Sequence, residues 1–220
     1  IKVMNQTRIE KKFIFPNQES DLVKKILLVN NFRKLYPDRY ITSIYMDNLN
    51  FDSVKDNING VSERKKLRVR WYNNDFNKIY FEEKNKNNFF VSKNIKKLDL
   101  NINKKDLISK IYTLLSNDNK NIAANHNYRL ILKVNYKRSY FISYQDKFRA
   151  TIDTHINTSP AFDLNKIITL PETILEFKFS KNSENDYRNF FSLMGLNIRN
   201  KKYSKYINSF IALEEAGLIN

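Results

Sequence analysis

Charged and apolar residues alternate at every second position in several segments of this chain, and this alternation most constrains its fold. In residues 64–71 one set of alternate positions carries Arg64, Lys66, Arg68 and Arg70, and the other carries Lys65, Leu67, Val69 and Trp71. Successive side chains of a β-strand point to opposite sides of the sheet. The segment therefore predicts a strand with one apolar face and one basic face.

Four further segments repeat this alternation. Their charged or polar positions are Arg8, Glu10 and Lys12; Glu82, Lys84 and Lys86; Arg149, Thr151, Asp153 and His155; and Glu176 and Lys178. A solvated face of an ordinary antiparallel sheet explains any one of these strands. Five such strands together favour a sheet that curls its charged faces around a basic cavity. Because close like charges repel, we expect a polyanion and metal ions to occupy that cavity, with arginines on phosphate and carboxylates on metal.

The composition excludes several kinds of chemistry. The chain has no Cys, which rules out disulfides, thiol nucleophiles and Cys-bound metals. It has only 3 Gly, too few for a P-loop or a dinucleotide-binding fingerprint, and only 2 His. Acid–base or metal chemistry must therefore depend on carboxylates, Lys and Arg.

The periodicity predicts a sheet-dominated α+β protein that forms a single domain over residues 1–220. Strands are expected at residues 8–15, 40–46, 65–72, 78–86, 89–94, 128–136, 140–144, 148–155 and 174–179. Helices are expected at residues 21–34, 50–57, 106–115, 186–194 and 204–213, with Gly195 ending the fourth. Because no apolar run is long enough to cross a bilayer, we expect a soluble, cytoplasmic protein.

Eight collinear segments resemble one known family. They are residues 8–13 (RIEKKF), 43–48 (SIYMDN), 66–72 (KLRVRWY), 81–84 (FEEK), 136–138 (YKR), 149–154 (RATIDT), 174–178 (ILEFK) and 202–206 (KYSKY). The chain resembles the VTC domain, which is the polyphosphate polymerase domain of the vacuolar transporter chaperone complex and its bacterial relatives. That family belongs to the CYTH-like triphosphate tunnel metalloenzymes.

The resemblance implies a closed antiparallel β-barrel, or triphosphate tunnel, with helices packed outside. It implies a divalent metal, Mn²⁺ or Mg²⁺, held by Glu176, with Glu10 as a second ligand. The implied catalytic residues are Lys12, Arg68, Arg70, Lys84, Arg138, Arg149, Glu176 and Lys205. The implied phosphate- and nucleotide-binding residues are Arg64, Lys66, Lys86, Lys178, Lys202, Ser204 and Tyr45.

The activity implied by the resemblance is transfer of the ATP γ-phosphate onto a polyphosphate chain, an ATP-polyphosphate phosphotransferase reaction. The acceptor is an anionic phosphate oxygen that needs no strong base, which suits a chain nearly lacking His. ATP and inorganic polyphosphate are the expected partners. Any coupling to polymer translocation would need another protein, such as a membrane-protein partner.

Three alternatives remain open at the level of sequence. The first is hydrolysis of tripolyphosphate or a nucleoside triphosphate in the same tunnel, with Glu10 and Glu82 available for a second metal. The second is a non-catalytic module that binds polyphosphate or nucleotide. The third is nucleic-acid binding, which the net charge of +16 favours. Against the third, the charges alternate along strands instead of clustering with exposed aromatic residues.

Overall fold

The computed structural model describes residues 8–88, 90–98, 107–117, 128–193 and 199–219. The strands are β1 (Arg8–Pro16), β2 (Phe32–Asp47), β3 (Glu63–Tyr72), β4 (Ile79–Asn87), β5 (Phe90–Leu98), β6 (Arg129–Ser143), β7 (Arg149–Pro160), β8 (Ile168–Thr169) and β9 (Glu172–Ser180). The helices are α1 (Ser20–Val29), α2 (Asp52–Ile58), α3 (Leu107–Asn117), α4 (Glu184–Leu193) and α5 (Lys205–Glu215). No helix within these ranges is both long and apolar enough to cross a bilayer.

The strands form one sheet in the order β1-β9-β7-β6-β2-β3-β4-β5, with β8 paired to β7. Antiparallel ladders join β1 to β9, β9 to β7, β2 to β3, β3 to β4 and β4 to β5. The predicted antiparallel, sheet-rich α+β fold with helices packed against the sheet is therefore confirmed. Within the described strands, hydrogen bonding does not close the sheet, because β1 and β5 stand at the two ends of the order.

The first of two compact units comprises the described parts of residues 1–39, 136–156 and 169–203. Its core is aromatic, because the apolar positions of β9, including Phe177 and Phe179, face helices α1 and α4. Tyr187 of α4 stacks on Phe179 with ring centroids 4.2 Å apart. Burial of this apolar face leaves the alternate positions of β9, Glu176 and Lys178, on the opposite side of the strand.

The second unit comprises the described parts of residues 40–135, 157–168 and 204–220. Leu67, Val69 and Trp71 of β3 are buried in its core, as the alternation predicts. Ile111 of α3 and Phe81 of β4 lie in the same core. The basic alternate positions of β3 therefore lie on its other face.

Helix α5 is fixed in the second unit by two buried contacts of Tyr206. The Tyr206 ring stacks on Tyr45 at 4.9 Å, and its hydroxyl donates a hydrogen bond to Asp47 Oδ2 over 2.8 Å. The Asp47 carboxylate is fully buried and also accepts the backbone amides of Ser53 and Val54 in the first turn of α2. One carboxylate therefore connects β2, α2 and α5.

A segment after α4 covers part of the edge of β1. The Lys201 amide donates to the Lys12 carbonyl over 2.9 Å, and Lys12 Nζ donates to the Tyr203 carbonyl over 2.9 Å. The Lys12 carbonyl and the Lys12 ammonium group are thus both paired with this segment.

Several of the predicted boundaries are wrong. The strand predicted from residue 40 begins at Phe32, the strand predicted to end at residue 94 continues to Leu98, and the strand predicted to end at residue 155 continues to Pro160. The helix predicted over residues 21–34 ends at Val29, because Asn31 adopts the left-handed conformation (φ 60°) and β2 begins at Phe32. Asn tolerates that conformation better than most residues, so the Asn30-Asn31 pair ends the helix. The strands predicted at 128–136 and 140–144 form one continuous strand, β6. Phe89, Met194 and the predicted cap Gly195 lie outside the described residues.

Candidate functional site

The β1–β9 ladder brings two carboxylates and two lysines together on one face. Lys12 lies opposite Glu176, and Glu10 lies opposite Lys178. Lys178 Nζ lies 2.5 Å from Glu176 Oε1 and 3.5 Å from Glu10 Oε1, while Lys12 Nζ lies 3.5 Å from Glu176 Oε2. Directly opposed residues of an antiparallel ladder place their side chains on the same face of the sheet, and this explains the cluster.

Glu176 is buried, with 7% of its surface exposed. Burial by itself opposes ionisation of the carboxyl group, but the charges of Lys178, Lys12 and Arg138 outweigh it and lower the pKa of Glu176 to about 2. Glu176 is therefore a carboxylate at neutral pH and a weak proton acceptor there.

Arg138 of β6 lies in the same unit and is held by a bidentate ion pair. Its Nε and Nη2 donate to Asp153 Oδ1 and Oδ2 over 2.5 and 2.7 Å, and its Cζ lies 5.4 Å from the Tyr136 ring centroid. Asp153 on β7 is 1% exposed. Burial opposes the charge of Arg138, but the Asp153 carboxylate beside it raises the pKa of Arg138. This pair fixes the plane of the guanidinium group.

A second cluster surrounds Glu82 of β4 in the other unit. Glu82 Oε2 lies 2.7 Å from Arg68 Nε and 3.8 Å from Arg70 Nη1, and Glu82 Oε1 lies 3.1 Å from Lys93 Nζ on β5. Arg70 Nε also donates to Ser43 Oγ over 2.9 Å. The three cations of this cluster therefore converge on a single carboxylate.

Glu82 has a perturbed pKa for the same physical reason as Glu176. Burial opposes its ionisation, but the charges of Arg68, Arg70 and Lys93 lower its pKa to about 2. In the same cluster, burial lowers the pKa of Lys93, and the Arg68 charge adds to that effect while Glu82 opposes it. The cluster thus combines one permanent anion with three cations.

Residues at the start of α5 lie beside this cluster. Lys66 Nζ donates to Ser204 Oγ over 2.9 Å, and Arg68 Nη1 donates to the Tyr45 hydroxyl over 3.4 Å. Burial raises the pKa of Tyr45, but the charges of Arg68, Arg70 and Lys205 lower it further than burial raises it. Tyr45 is 5% exposed and stacked on Tyr206. Arg68 approaches both its hydroxyl and its ring, with Arg68 Cζ 6.0 Å from the ring centroid.

The structure gathers most of the predicted site residues into these two clusters. The first unit holds Glu10, Lys12, Arg138, Glu176 and Lys178, and the second holds Tyr45, Lys66, Arg68, Arg70, Ser204 and Lys205. Among the others, Lys84 lies opposite Lys66 and Lys93, Lys86 lies opposite Arg64, and Arg149 lies opposite Lys178 in the strand ladders. Lys202 precedes α5. Their phosphate-binding roles stay predictions.

Three members of the clusters were not among the predicted site residues: Glu82, Lys93 and Asp153. The alternation placed Glu82 and Asp153 on charged strand faces, and Glu82 was named for a second metal in the hydrolysis alternative, but neither was assigned a place in the site. Lys93 becomes a neighbour of Glu82 only through the register of the β4–β5 ladder, in which Lys84 is opposite Lys93. Sequence periodicity does not fix that register.

Two carboxylates lie close enough to Lys178 to contribute to a metal site. Among the residues that the structure describes, no three His, Asp or Glu side chains form a group that could hold an ion. Glu176 and Glu10 both approach Lys178 Nζ, so an ion could take the place of that ammonium group between them. Mg²⁺-type sites commonly use one or two carboxylates and complete their coordination with substrate phosphates and water. The donor set fits a metal that arrives with a phosphate ligand.

The described strands thus form an antiparallel sheet that pairs carboxylates and cations on one face. A model of the VTC domain matches residues 7–214, and the chain therefore belongs to the VTC domain family. A search of curated proteins finds no match.

Several solved structures share this fold. One is HpAC1 from Hippeastrum, a candidate adenylyl cyclase described as having a dominant triphosphatase activity, with a TM-score of 0.58, 13% identity and 97% of each chain covered. A candidate adenylate cyclase from Vibrio parahaemolyticus gives a TM-score of 0.51 at 14% identity, covering 93% of this chain and 98% of that one. The PH1819 protein from Pyrococcus horikoshii OT3 gives 0.53 at 13% identity, covering 94% and 99%.

Proposed function

We propose that this chain is a polyphosphate polymerase that transfers the γ-phosphate of ATP onto the end of a polyphosphate chain. Membership of the VTC domain family supports a triphosphate substrate. Each of the two clusters draws its cations from more than one strand, which suits a ligand with several phosphate groups. Phosphoryl transfer depends mainly on positioning and on neutralising the charge that spreads over the transferred group.

The observation that carries the proposal is that both buried glutamates are already paired with cations: Glu176 with Lys12 and Lys178, and Glu82 with Arg68, Arg70 and Lys93. These cations lower the pKa of each carboxyl group to about 2, so each is a weak proton acceptor at neutral pH. A terminal phosphate oxygen is already an anionic nucleophile and needs no base, whereas water must lose a proton. The site is therefore better suited to a phosphate acceptor than to water.

Different side chains would bind phosphate, neutralise charge and hold the metal. Arg68 and Arg70 would bind phosphate oxygens through planar guanidinium groups, and Lys12 and Arg138 would neutralise charge beside Glu176. Glu176 and Glu10 would hold Mn²⁺ or Mg²⁺, which supplies further neutralisation of the phosphate oxygens when it is bound. The closed tunnel that the family resemblance implies belongs to this proposal, as does a cytoplasmic location, where ATP is available.

Hydrolysis of tripolyphosphate or a nucleoside triphosphate is the second candidate function. The description of HpAC1, which shares the fold, reports a dominant triphosphatase activity. The same cations would bind the substrate, and water would replace the chain end as acceptor. The two candidates therefore differ in the acceptor and not in the binding site.

The test is to incubate the purified protein with ATP and Mn²⁺, then separate the products on a gel stained for polyphosphate and measure free phosphate. We expect a ladder of polymer that decreases about 10²–10³-fold in Glu176→Gln and Arg68→Ala, the effect of losing one positioned charge. Glu184→Gln and Arg188→Ala are matched controls, because they alter an exposed ion pair on α4.

Each other outcome of this test assigns a different function. Phosphate release without polymer, lost in the same two variants, would replace the polymerase with the hydrolase. Tight binding of polyphosphate with neither product would identify a non-catalytic binding module. Equal activity in the variants and their controls would show that neither cluster takes part in the reaction.

A further inference from the structure

Glu82 is the least exposed member of the basic cluster of the second unit and lies at its centre. It is 4% exposed, and its two carboxylate oxygens contact three different cations. Arg68 approaches one oxygen through both Nε and Nη2, at 2.7 and 2.5 Å. A bound phosphate would compete for these cations with a carboxylate that is part of the protein.

We propose that Glu82 is a built-in counter-anion that weakens the binding of phosphate chains to Arg68, Arg70 and Lys93, so that the chain can move and leave. The inference rests on the proposed function, because it assumes that these cations bind phosphate. It assigns Glu82 a role in setting how tightly phosphate chains are bound, which is distinct from metal binding and from proton transfer.

The contacts of Glu82 argue against the other roles of a buried glutamate. Oε2 faces Arg68 and Arg70, and Oε1 faces Lys93, so both oxygens already have cationic partners. Its depressed pKa keeps it ionised over the working pH range, so it has no proton to donate and is only a weak proton acceptor. An anion fixed among cations lowers the potential that a second anion meets.

The expected size follows from Coulomb's law. At an effective dielectric constant of about 20, two unit charges about 6 Å apart change an equilibrium constant by about a hundredfold. Solvent screening at the partly exposed Lys93, whose side chain is 42% exposed, reduces this effect. We therefore expect removal of the Glu82 charge to tighten phosphate binding by about tenfold.

Glu83 provides a matched control one residue away. Its Oε1 pairs with Lys65 Nζ over 2.8 Å, and its Cα partner in the β3–β4 ladder is Leu67, which places it on the other face of the strand. Glu83→Gln removes the same charge from the same strand without altering the cluster. Glu82→Asp is a second control that retains the charge.

The experiment is isothermal titration of the full chain with inorganic tripolyphosphate in metal-free buffer. We expect the Kd of Glu82→Gln to be about tenfold lower than that of the unaltered protein, with Glu83→Gln and Glu82→Asp within about threefold. Glu82→Gln leaves three cations facing one another, so tripolyphosphate should also raise its melting temperature more than it raises that of the unaltered protein.

A second pair of variants retains the test if Glu82→Gln does not fold. Lys93→Met and Lys93→Met/Glu82→Gln differ by the same single carboxylate, and the double variant has the same net charge as the unaltered protein. We expect the double variant to bind tripolyphosphate about tenfold more tightly than Lys93→Met. Equal or weaker binding in the double variant would overturn the inference.

The outcomes separate this inference from the proposed function. If the unaltered protein binds tripolyphosphate and Glu82→Gln binds equally or more weakly, the counter-anion role is wrong and the proposed function stands. If Glu82→Gln binds and the unaltered protein does not, the inference is supported. If neither binds, the phosphate-binding premise and the inference fail together.

Discussion

Two buried glutamates in different compact units reach the same ionisation state with different partners. Glu176 is held mainly by Lys178 and Lys12, whereas Glu82 is held by Arg68, Arg70 and Lys93. The pKa of each carboxyl group is about 2. Equal pKa values therefore do not imply equal roles.

The difference lies in how easily the partners can be replaced. A lysine is a point charge on a flexible stem, whereas an arginine presents a rigid planar fork. Lys178 also contacts a second carboxylate, Glu10, so moving it away would expose two metal ligands. Arg68 makes two contacts to one Glu82 oxygen and fixes it. The lysine-held glutamate suits an exchangeable metal, and the arginine-held glutamate suits a permanent counter-anion.

The largest expected effect concerns Arg138, whose charge helps to lower the pKa of Glu176. Asp153→Ala leaves Arg138 buried without its carboxylate, so we expect the free energy of unfolding to fall by about 3–5 kcal/mol, measured by urea denaturation. Asp186→Ala removes an exposed pair with Lys147 at 2.9 Å and should cost below about 1 kcal/mol. Similar losses in both variants would show that Arg138 does not depend on Asp153.

The acid stability of the protein tests whether the two glutamates are equivalent in charge. Their pKa values are about 2 against an ordinary value of 4.5, so their stabilisation is complete above pH 4.5 and is lost as the pH falls through about 2. Each should contribute up to about 3 kcal/mol, because one pKa unit corresponds to about 1.4 kcal/mol. Urea denaturation across pH 2–6 should show this loss reduced equally in Glu176→Gln and Glu82→Gln. A reduction in only one variant would contradict the equivalence, and Glu184→Gln should leave the pH dependence unchanged.

The metal requirement should separate the same two variants. In Glu176→Gln we expect the Mn²⁺ concentration for half-maximal activity to rise at least about tenfold, because a metal ligand is lost. Glu82→Gln should leave that concentration unchanged within error, since its carboxylate faces three cations. Titration of activity with Mn²⁺ at saturating ATP measures both. A comparable rise in Glu82→Gln would show that Glu82 is a metal ligand, as proposed for Glu176, and not a counter-anion.

The smallest expected effect concerns the hydrogen bond that joins Tyr206 of α5 to Asp47. Tyr206→Phe removes one hydrogen bond to Asp47 but keeps the stack on Tyr45, and Asp47 retains the Ser53 and Val54 amides. We expect a loss of about 1 kcal/mol in the free energy of unfolding. Tyr144→Phe, at a side chain that is 78% exposed, should cost nothing measurable. No loss in Tyr206→Phe would show that Asp47 is satisfied without α5.

The sequence predicted well which side chains share a face of a strand, because the alternation of side chains along a strand is a local property. Arg68 and Arg70 lie opposite the buried face of Leu67 and Val69, and Glu176 lies opposite the buried face of Phe177. One alternating segment is sufficient to make such a prediction. The class of the fold and the charged faces of β1, β3 and β9 follow from it.

Contacts between distant segments could not be predicted in the same way. The neighbourhood of Lys93 and Glu82 depends on the β4–β5 register, and the pairing of Arg138 with Asp153 depends on how β6 lies against β7. The end of α1 depends on one backbone dihedral angle at Asn31. The periodicity of apolar residues contains no information on the register between strands. It also gives almost no indication of a single residue in the left-handed conformation.

The short segment that covers β1 also affects how the chain behaves among its own copies. An uncovered outer strand is a template onto which another chain can add, and this is a common start of aggregation. The hydrogen bond from Lys201 to the Lys12 carbonyl occupies one such position, and Lys11 and Lys12 place charge on the same strand. Residues 199–203 therefore occupy part of the edge onto which another chain could add, as well as leading into α5.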